Sequence, residues 1–177
     1  RGVPSETAAR RKSETTPLGA IALLAARQHG VVTLAQLLAA GLSQSAVTRL
    51  VASGQLHRVY RGVYAVGHAG LSREGRFLAT VLWAGEGAAL SHLAAAELRQ
   101  LRRYRAPLID VVVRTRRRAP RGVRVHETRA LGARDVTTYN GIPVTSVPRM
   151  LVDLSDVLTA HELANVIHEA AFRGIYS

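Results

Sequence analysis

The punctuation of residues 16–66 constrains this chain more than any other feature. Thr16-Pro17 sets an N-cap before Pro at the first helical position. Leu18, Ile21, Leu24 and Ala25 then recur at helical spacing, and Gly30 closes the helix. Thr33-Leu34-Ala35-Gln36 is a capping box that opens a second helix, with Leu34, Leu37 and Leu38 as its apolar face. Gly41 ends it, where a positive φ permits a sharp turn. Ser43 caps a third helix running to about Ser53-Gly54. Leu37 and Val47 are placed to pack the second and third helices together, so the pattern predicts a helix-turn-helix. The period then shortens to two. Leu56–Tyr60 and Val63–Val66, rich in aromatic and β-branched residues, flank a tight turn at Arg61-Gly62. A hairpin directly behind a helix-turn-helix stands where a wing stands.

The third helix divides into two faces at about 100° per residue. Ala46, Val47, Leu50 and Val51 share the inner one, and Ser45, Thr48, Arg49 and Ala52 the outer one. A small, polar face with one arginine suits insertion into a major groove. Ser43, Gln44 and Ser45, near the helix N-terminus, are within reach of phosphates or base edges, and Arg58 and Arg61 of the wing would follow the backbone or the minor groove. An ordinary three-helix core with a hairpin carries the same punctuation, so charge has to decide.

The net charge of +12 comes from 24 basic and 12 acidic residues. Such a balance predicts a polyanionic partner. Lys12 is the single lysine, and an arginine bias can also reflect a GC-rich genome, but that bias would spread evenly. Here the arginines cluster. Residues 17–66 hold four arginines and no acid, residues 99–134 hold twelve against Asp110 and Glu127, and residues 135–177 hold two against five acids. No acid occurs between Glu14 and Glu74, which fits a surface that meets phosphate, although a solvated basic face has the same composition.

Residues 1–16 read as a flexible arm, residues 17–68 as the winged helix-turn-helix, and residues 70–177 as a mixed α/β domain beyond a linker at Gly67-His68-Ala69-Gly70. The fold class is therefore α+β. Helices are expected from Glu74 to about Ala84 and from Ser91, as cap, to about Leu101. Leu108–Arg114 and Gly122–Thr128 read as two strands of a hairpin around a basic loop. That hairpin carries a second basic surface of Arg114, Arg116, Arg117, Arg118, Arg121 and Arg124, open to phosphate, RNA, an acidic protein or solvent alone. Asn140–Pro143 reads as a turn into Val144-Thr145. Ser146 caps a helix with Pro148 in its first turn, and the Thr159–Glu162 capping box opens a last helix expected to reach the chain end.

Enzymatic readings find little support, and no cofactor is expected. There is no cysteine, so thiol catalysis and zinc–cysteine sites are excluded. His161-Glu162 and His168-Glu169 do not complete a two-histidine zinc motif. Ser91-His92 are chain neighbours, which makes no triad, and Asp153 and Asp156 suggest a solvated helix edge. A carboxylate–lysine nuclease centre lacks a lysine near Asp110, and neither a P-loop nor a dinucleotide fingerprint is present. With no membrane span, no export signal and no disulfide, the expected compartment is the cytoplasm, at the nucleoid. No membrane and no small-molecule substrate is expected as a partner.

The run Ala25–Thr33, the run Leu37–Ser43 and the segment Leu56–Val66 together resemble the N-terminal domain of AbiEi-type antitoxins of type IV toxin–antitoxin systems, most closely actinobacterial members. Leu90-Ser91-His92, Gly141–Thr145 and Leu151–Leu154 extend the resemblance over roughly residues 17–170. It implies a winged helix that binds double-stranded operator DNA for autoregulation, and an α/β domain tied to antitoxin activity against a nucleotidyltransferase toxin. Relatives often carry a C-terminal endonuclease-like domain. Two alternatives stand beside the antitoxin: the DNA-targeting N-terminal part of such an endonuclease-like protein, and a protein-binding module for an acidic partner.

Overall fold

The structure, a computed structural model, describes residues 16–175. The arm expected at 1–16 therefore lies, except for Thr16, outside the described residues. Two compact units divide the chain between Ala79 and Thr80.

The first unit opens with α1 (Pro17–Arg27), capped by the Thr16 hydroxyl, which accepts from the Gly19 amide at 3.1 Å. β1 (Val31–Thr33) leads into α2 (Leu34–Ala39), where the Thr33 hydroxyl and the Gln36 carboxamide exchange backbone hydrogen bonds as a complete capping box. Gly41, at φ +98°, turns the chain into α3 (Gln44–Ala52), and β2 (Leu56–Tyr60) and β3 (Val63–Val66) form the hairpin. The three strands make an antiparallel sheet in the order β1-β3-β2, with Val32 opposite Tyr64 and Arg58 opposite Tyr64 on the other side. Ile21, Ala25, Val32, Leu37, Val47, Leu56 and Tyr64 form one core, so Leu37 and Val47 do join the second and third helices. Two positions depart from the expected apolar faces. Leu18, in the first turn of α1, is 51% exposed while Ile21 and Ala25 fill the core. Leu38 is 43% exposed because the six residues of α2 make fewer than two turns and Leu37 takes the core position.

α4 (Arg73–Ala84) crosses the division between the units. Within the first unit its Gly75 lies so close to the His29 carbonyl that a Cβ there would stand 2.7 Å from that oxygen.

The second unit is a five-stranded mixed sheet in the order β6-β5-β4-β8-β7. Its strands are β4 (Ala89–Leu90), β5 (Ile109–Val113), β6 (Val123–Glu127), β7 (Val136–Tyr139) and β8 (Ile142–Thr145). Its helices are α5 (His92–Leu98), α6 (Val147–Ser155) and α7 (Ala160–Phe172), with α5 packed on β5 and α6, and α6 on α7.

Several expectations are corrected in this unit. β5 and β6 are parallel, not a hairpin: Ile109 pairs with Val123 and Val113 with Glu127. The intervening residues 114–122 are long enough to carry the chain back along a strand of about 17 Å before it pairs again. Ile142 and Pro143 belong to a strand rather than a turn. Asn140 and Gly141, at φ +50° and +75°, form the turn of a β7–β8 hairpin. α5 stops at Leu98, three residues before the expected end, since Gln100 takes φ +57°. Ser91 holds the N-cap position, but its hydroxyl bonds the His92 ring instead of the helix. α7 ends at Phe172, with Arg173 as cap and Gly174 at φ +63°, short of the chain end. Asp153 is buried, 5% exposed, not a solvated edge, because Arg149 donates to its Oδ1 at 2.8 Å.

Candidate nucleic-acid interface

α3 owes its outer face to its cap and its length. The Ser43 hydroxyl accepts from the Ala46 amide at 3.2 Å and meets the Ser45 hydroxyl at 3.0 Å, which fixes the first turn. Thr48 donates its proton to the Gln44 carbonyl at 3.1 Å. These three hydroxyls therefore spend part of their capacity on the helix itself. Gln44 and Arg49 do not: both are exposed, and their side chains have no partner among the described residues. Val47 is buried beneath them, with Leu50 and Val51 half-buried, so the helix is seated by one face and presents the other.

The wing supplies two more cations in different settings. Arg58 lies over the buried Tyr64 ring, its guanidinium carbon 5.9 Å from the centroid, which orients it while leaving it exposed. Arg61 sits at the hairpin tip and is exposed without a partner among the described residues. A register shift between Arg58 and Tyr60 twists this end of the hairpin. With no acid in residues 17–66, nothing in this stretch neutralises these guanidiniums.

The second basic block separates into two classes. Three of its arginines are engaged. Arg114 donates to the Leu131 carbonyl at 3.0 Å, Arg117 donates to the Trp83 carbonyl at 2.9 Å and lies over the Trp83 ring, and Arg124 faces Asp110 at 3.9 Å. Arg117 ties the loop to the end of α4, while Arg114 and Arg124 are held on either side of the loop. Arg116, Arg118 and Arg121 are exposed with no partner among the described residues. Arg116 and Arg118 line a shallow groove of about 720 Å³ with Glu127.

The sheet also gathers residues that their spacing in the chain kept apart. Ser91 Oγ meets His92 Nδ1 at 3.0 Å, the His92 ring stacks on His126 at 3.7 Å between centroids, and His126 Nε2 meets Asp110 Oδ1 at 2.8 Å. Asp110 and Ser91 are buried. The carboxylate and the hydroxyl bond different imidazoles whose rings lie face to face, so no single imidazole links acid to alcohol. Burial, then the neighbouring His126, push the His92 imidazole below its ordinary range, against the pull of Asp153, Asp110 and Asp156. Only the parallel pairing of β5 and β6 sets His126 beside the buried Asp110, and no local signal announces it.

Among the described residues no helix is long and apolar enough to cross a membrane, and no three or more His, Asp or Glu side chains are disposed to hold a metal ion. No curated protein matches the chain. Residues 20–67 match a protein family described as "Transcriptional regulator, AbiEi antitoxin". The matched span runs from α1 through the wing and includes α3, Arg49, Arg58 and Arg61. Over residues 20–67 this chain is thus similar to the AbiEi antitoxin regulators, and its helices and hairpin there form a winged-helix-like unit.

Proposed function

We propose that this protein is a sequence-specific DNA-binding autoregulator, the antitoxin of a type IV toxin–antitoxin pair. The observation that carries the reading is the outer face of α3. Gln44 and Arg49 are exposed and uncommitted there, within the acid-free stretch 17–66 whose wing adds Arg58 and Arg61. In this reading α3 enters the major groove. Gln44 and Arg49 face base edges, Ser45 and Thr48 contact bases or phosphate, and Ser43 holds the helix start. Arg58 and Arg61 grip the flanking backbone, and Arg116, Arg118 and Arg121 extend the grip from the second unit. The counterpart is a nucleotidyltransferase toxin encoded beside it. The protein catalyses no reaction of its own, and it works in the cytoplasm on the nucleoid.

The test is a gel-shift titration of the full chain against the DNA upstream of its own gene and against a shuffled duplex of the same composition. The expected result is a preference of at least about a thousandfold for the upstream DNA. Equal binding of the two duplexes would remove the operator reading and leave only a polyanion binder.

A further inference from the structure

The second unit carries a further surface, apart from the residues assigned above to the duplex. Beyond α5 the chain turns through Gln100, and the buried Leu101 donates its amide to the Ala96 carbonyl at 2.9 Å. Five residues on, the buried Ala106 donates its amide to Glu97 Oε2 at 2.8 Å. Between these anchors the chain makes a short excursion, Arg102-Arg103-Tyr104-Arg105. Arg102 turns back to Glu162 at 3.7 Å. Arg103, Tyr104 and Arg105 are exposed and have no partner among the described residues, and Tyr104 is 80% exposed.

The excursion is one wall of a groove of about 460 Å³, and α7 is the other. The acids of that groove are already matched. Glu162 accepts from the Thr159 amide and hydroxyl and faces Arg102, and Glu169 accepts from Arg173 at 2.6 Å. The charge left over in the groove belongs to Arg103, and Arg105, next in the chain after Tyr104, adds a second exposed cation outside the groove lining. Asn165 lines the groove between the two acids; its Nδ2 meets His161 Nε2 at 3.4 Å, which leaves the Oδ1 acceptor and one N–H for a ligand.

An exposed aromatic ring with an exposed arginine before and after it in the chain pairs the two elements that a single-stranded nucleic acid needs: a face on which a base stacks, and cations for the phosphates beside it. A duplex hides its base faces, so the ligand must carry an unpaired base. We propose that Arg103-Tyr104-Arg105 binds an unpaired nucleotide of a single-stranded nucleic acid. Tyr104 stacks on the base, Arg103 and Arg105 hold the flanking phosphates, and Asn165 meets the base edge. Duplex binding by α3 and the wing is a separate activity.

A net charge of +12 attracts any polyanion, so total affinity is not the readout. The experiment compares, by fluorescence anisotropy of the full chain, labelled thymidine and uridine strands of roughly twelve nucleotides with abasic strands of equal charge and matching sugar. The wild type is expected to bind the base-bearing strand about tenfold tighter than its abasic counterpart, the factor for one stacked base. Tyr104→Phe keeps that ratio and Tyr104→Ala brings it to about one. The sugar with the larger ratio shows whether the strand is DNA or RNA. Arg49→Ala lowers duplex binding and leaves the ratio unchanged, which separates this site from the operator contact. Equal affinity of the wild type for base-bearing and abasic strands, or a ratio that survives Tyr104→Ala, overturns the assignment.

Discussion

Arg49 and Arg61 are both exposed arginines of one unit, yet their positions predict different effects on the proposed DNA binding. Arg49 stands on the outer face of α3 and Arg61 at the tip of the wing. Arg49→Ala should weaken operator binding by about 1–3 kcal/mol and flatten the base preference at the position it reads. Arg61→Ala should weaken operator and random duplex alike. Competition titrations with both duplexes check this, and equal losses for Arg49→Ala would mean that α3 is not the reading element. His92 allows a prediction of another kind. Its folded imidazole is held below the ordinary 6.5 by burial and by His126. The unfolded chain therefore takes up a proton near pH 6.5 that the folded chain refuses until lower pH. Stability present above about pH 6.5 is lost as pH falls below it. The groups facing His92 are Ser91, His126, Asp110, Asp153 and Asp156. The urea midpoint should be lower at about pH 5.5 than at about pH 7.5, and His92→Gln should flatten the difference. A difference of full size in the variant would assign the titration to another group.

At the scale of elements, what was legible followed the caps. Thr16, Thr33, Ser43 and Thr159 each announce a helix through a side chain that satisfies an orphan amide, and each of those helices begins where the sequence places it. Three strands gave no such signal. β1 has three residues wedged between a turn and a capping box, and β4 has two, with alanine before leucine. Their hydrogen bonds are decided by partners far along the chain, β3 for one and β5 and β8 for the other. β7, Val-Thr-Thr-Tyr, carries β-branched residues that a composition reading could have found. Gly75 is a close-approach glycine inside a helix, where sequence alone would favour alanine by about 0.5–1 kcal/mol. Its new Cβ would meet the His29 carbonyl oxygen at 2.7 Å and Leu71 at 3.3 Å. A backbone oxygen cannot swing aside as a side chain does, so crowding wins. Gly75→Ala should destabilise the protein by about 1–3 kcal/mol, read as a lower urea midpoint with an unchanged slope. A rise in the midpoint would mean that α4 leaves room there.

For the molecule as a whole the proposed DNA binding is tested by the number of phosphates it would neutralise. The sequence presents the Arg114–Arg124 block as six equivalent cations, because it shows charge but not partners. The fold commits Arg114, Arg117 and Arg124 to a carbonyl, a tryptophan and a buried carboxylate, and leaves Arg116, Arg118 and Arg121. Each neutralised phosphate contributes about −0.9 to the slope of log affinity against log salt. Arg49, Arg58 and Arg61 alone would give a slope of about −3, and with the three uncommitted arginines about −5. Replacing Arg116, Arg118 and Arg121 together by alanine should therefore bring the slope from about −5 to about −3 and leave base preference untouched, since phosphate contacts carry no sequence information. The pinned arginines make the control. Arg117→Ala removes one charge of the same block together with the hydrogen bond to the Trp83 carbonyl, so it should lower stability while changing the slope little. An unchanged slope in the triple variant would show that the block never meets the DNA held by α3. Its partner would then have to be sought elsewhere, with the winged helix binding alone.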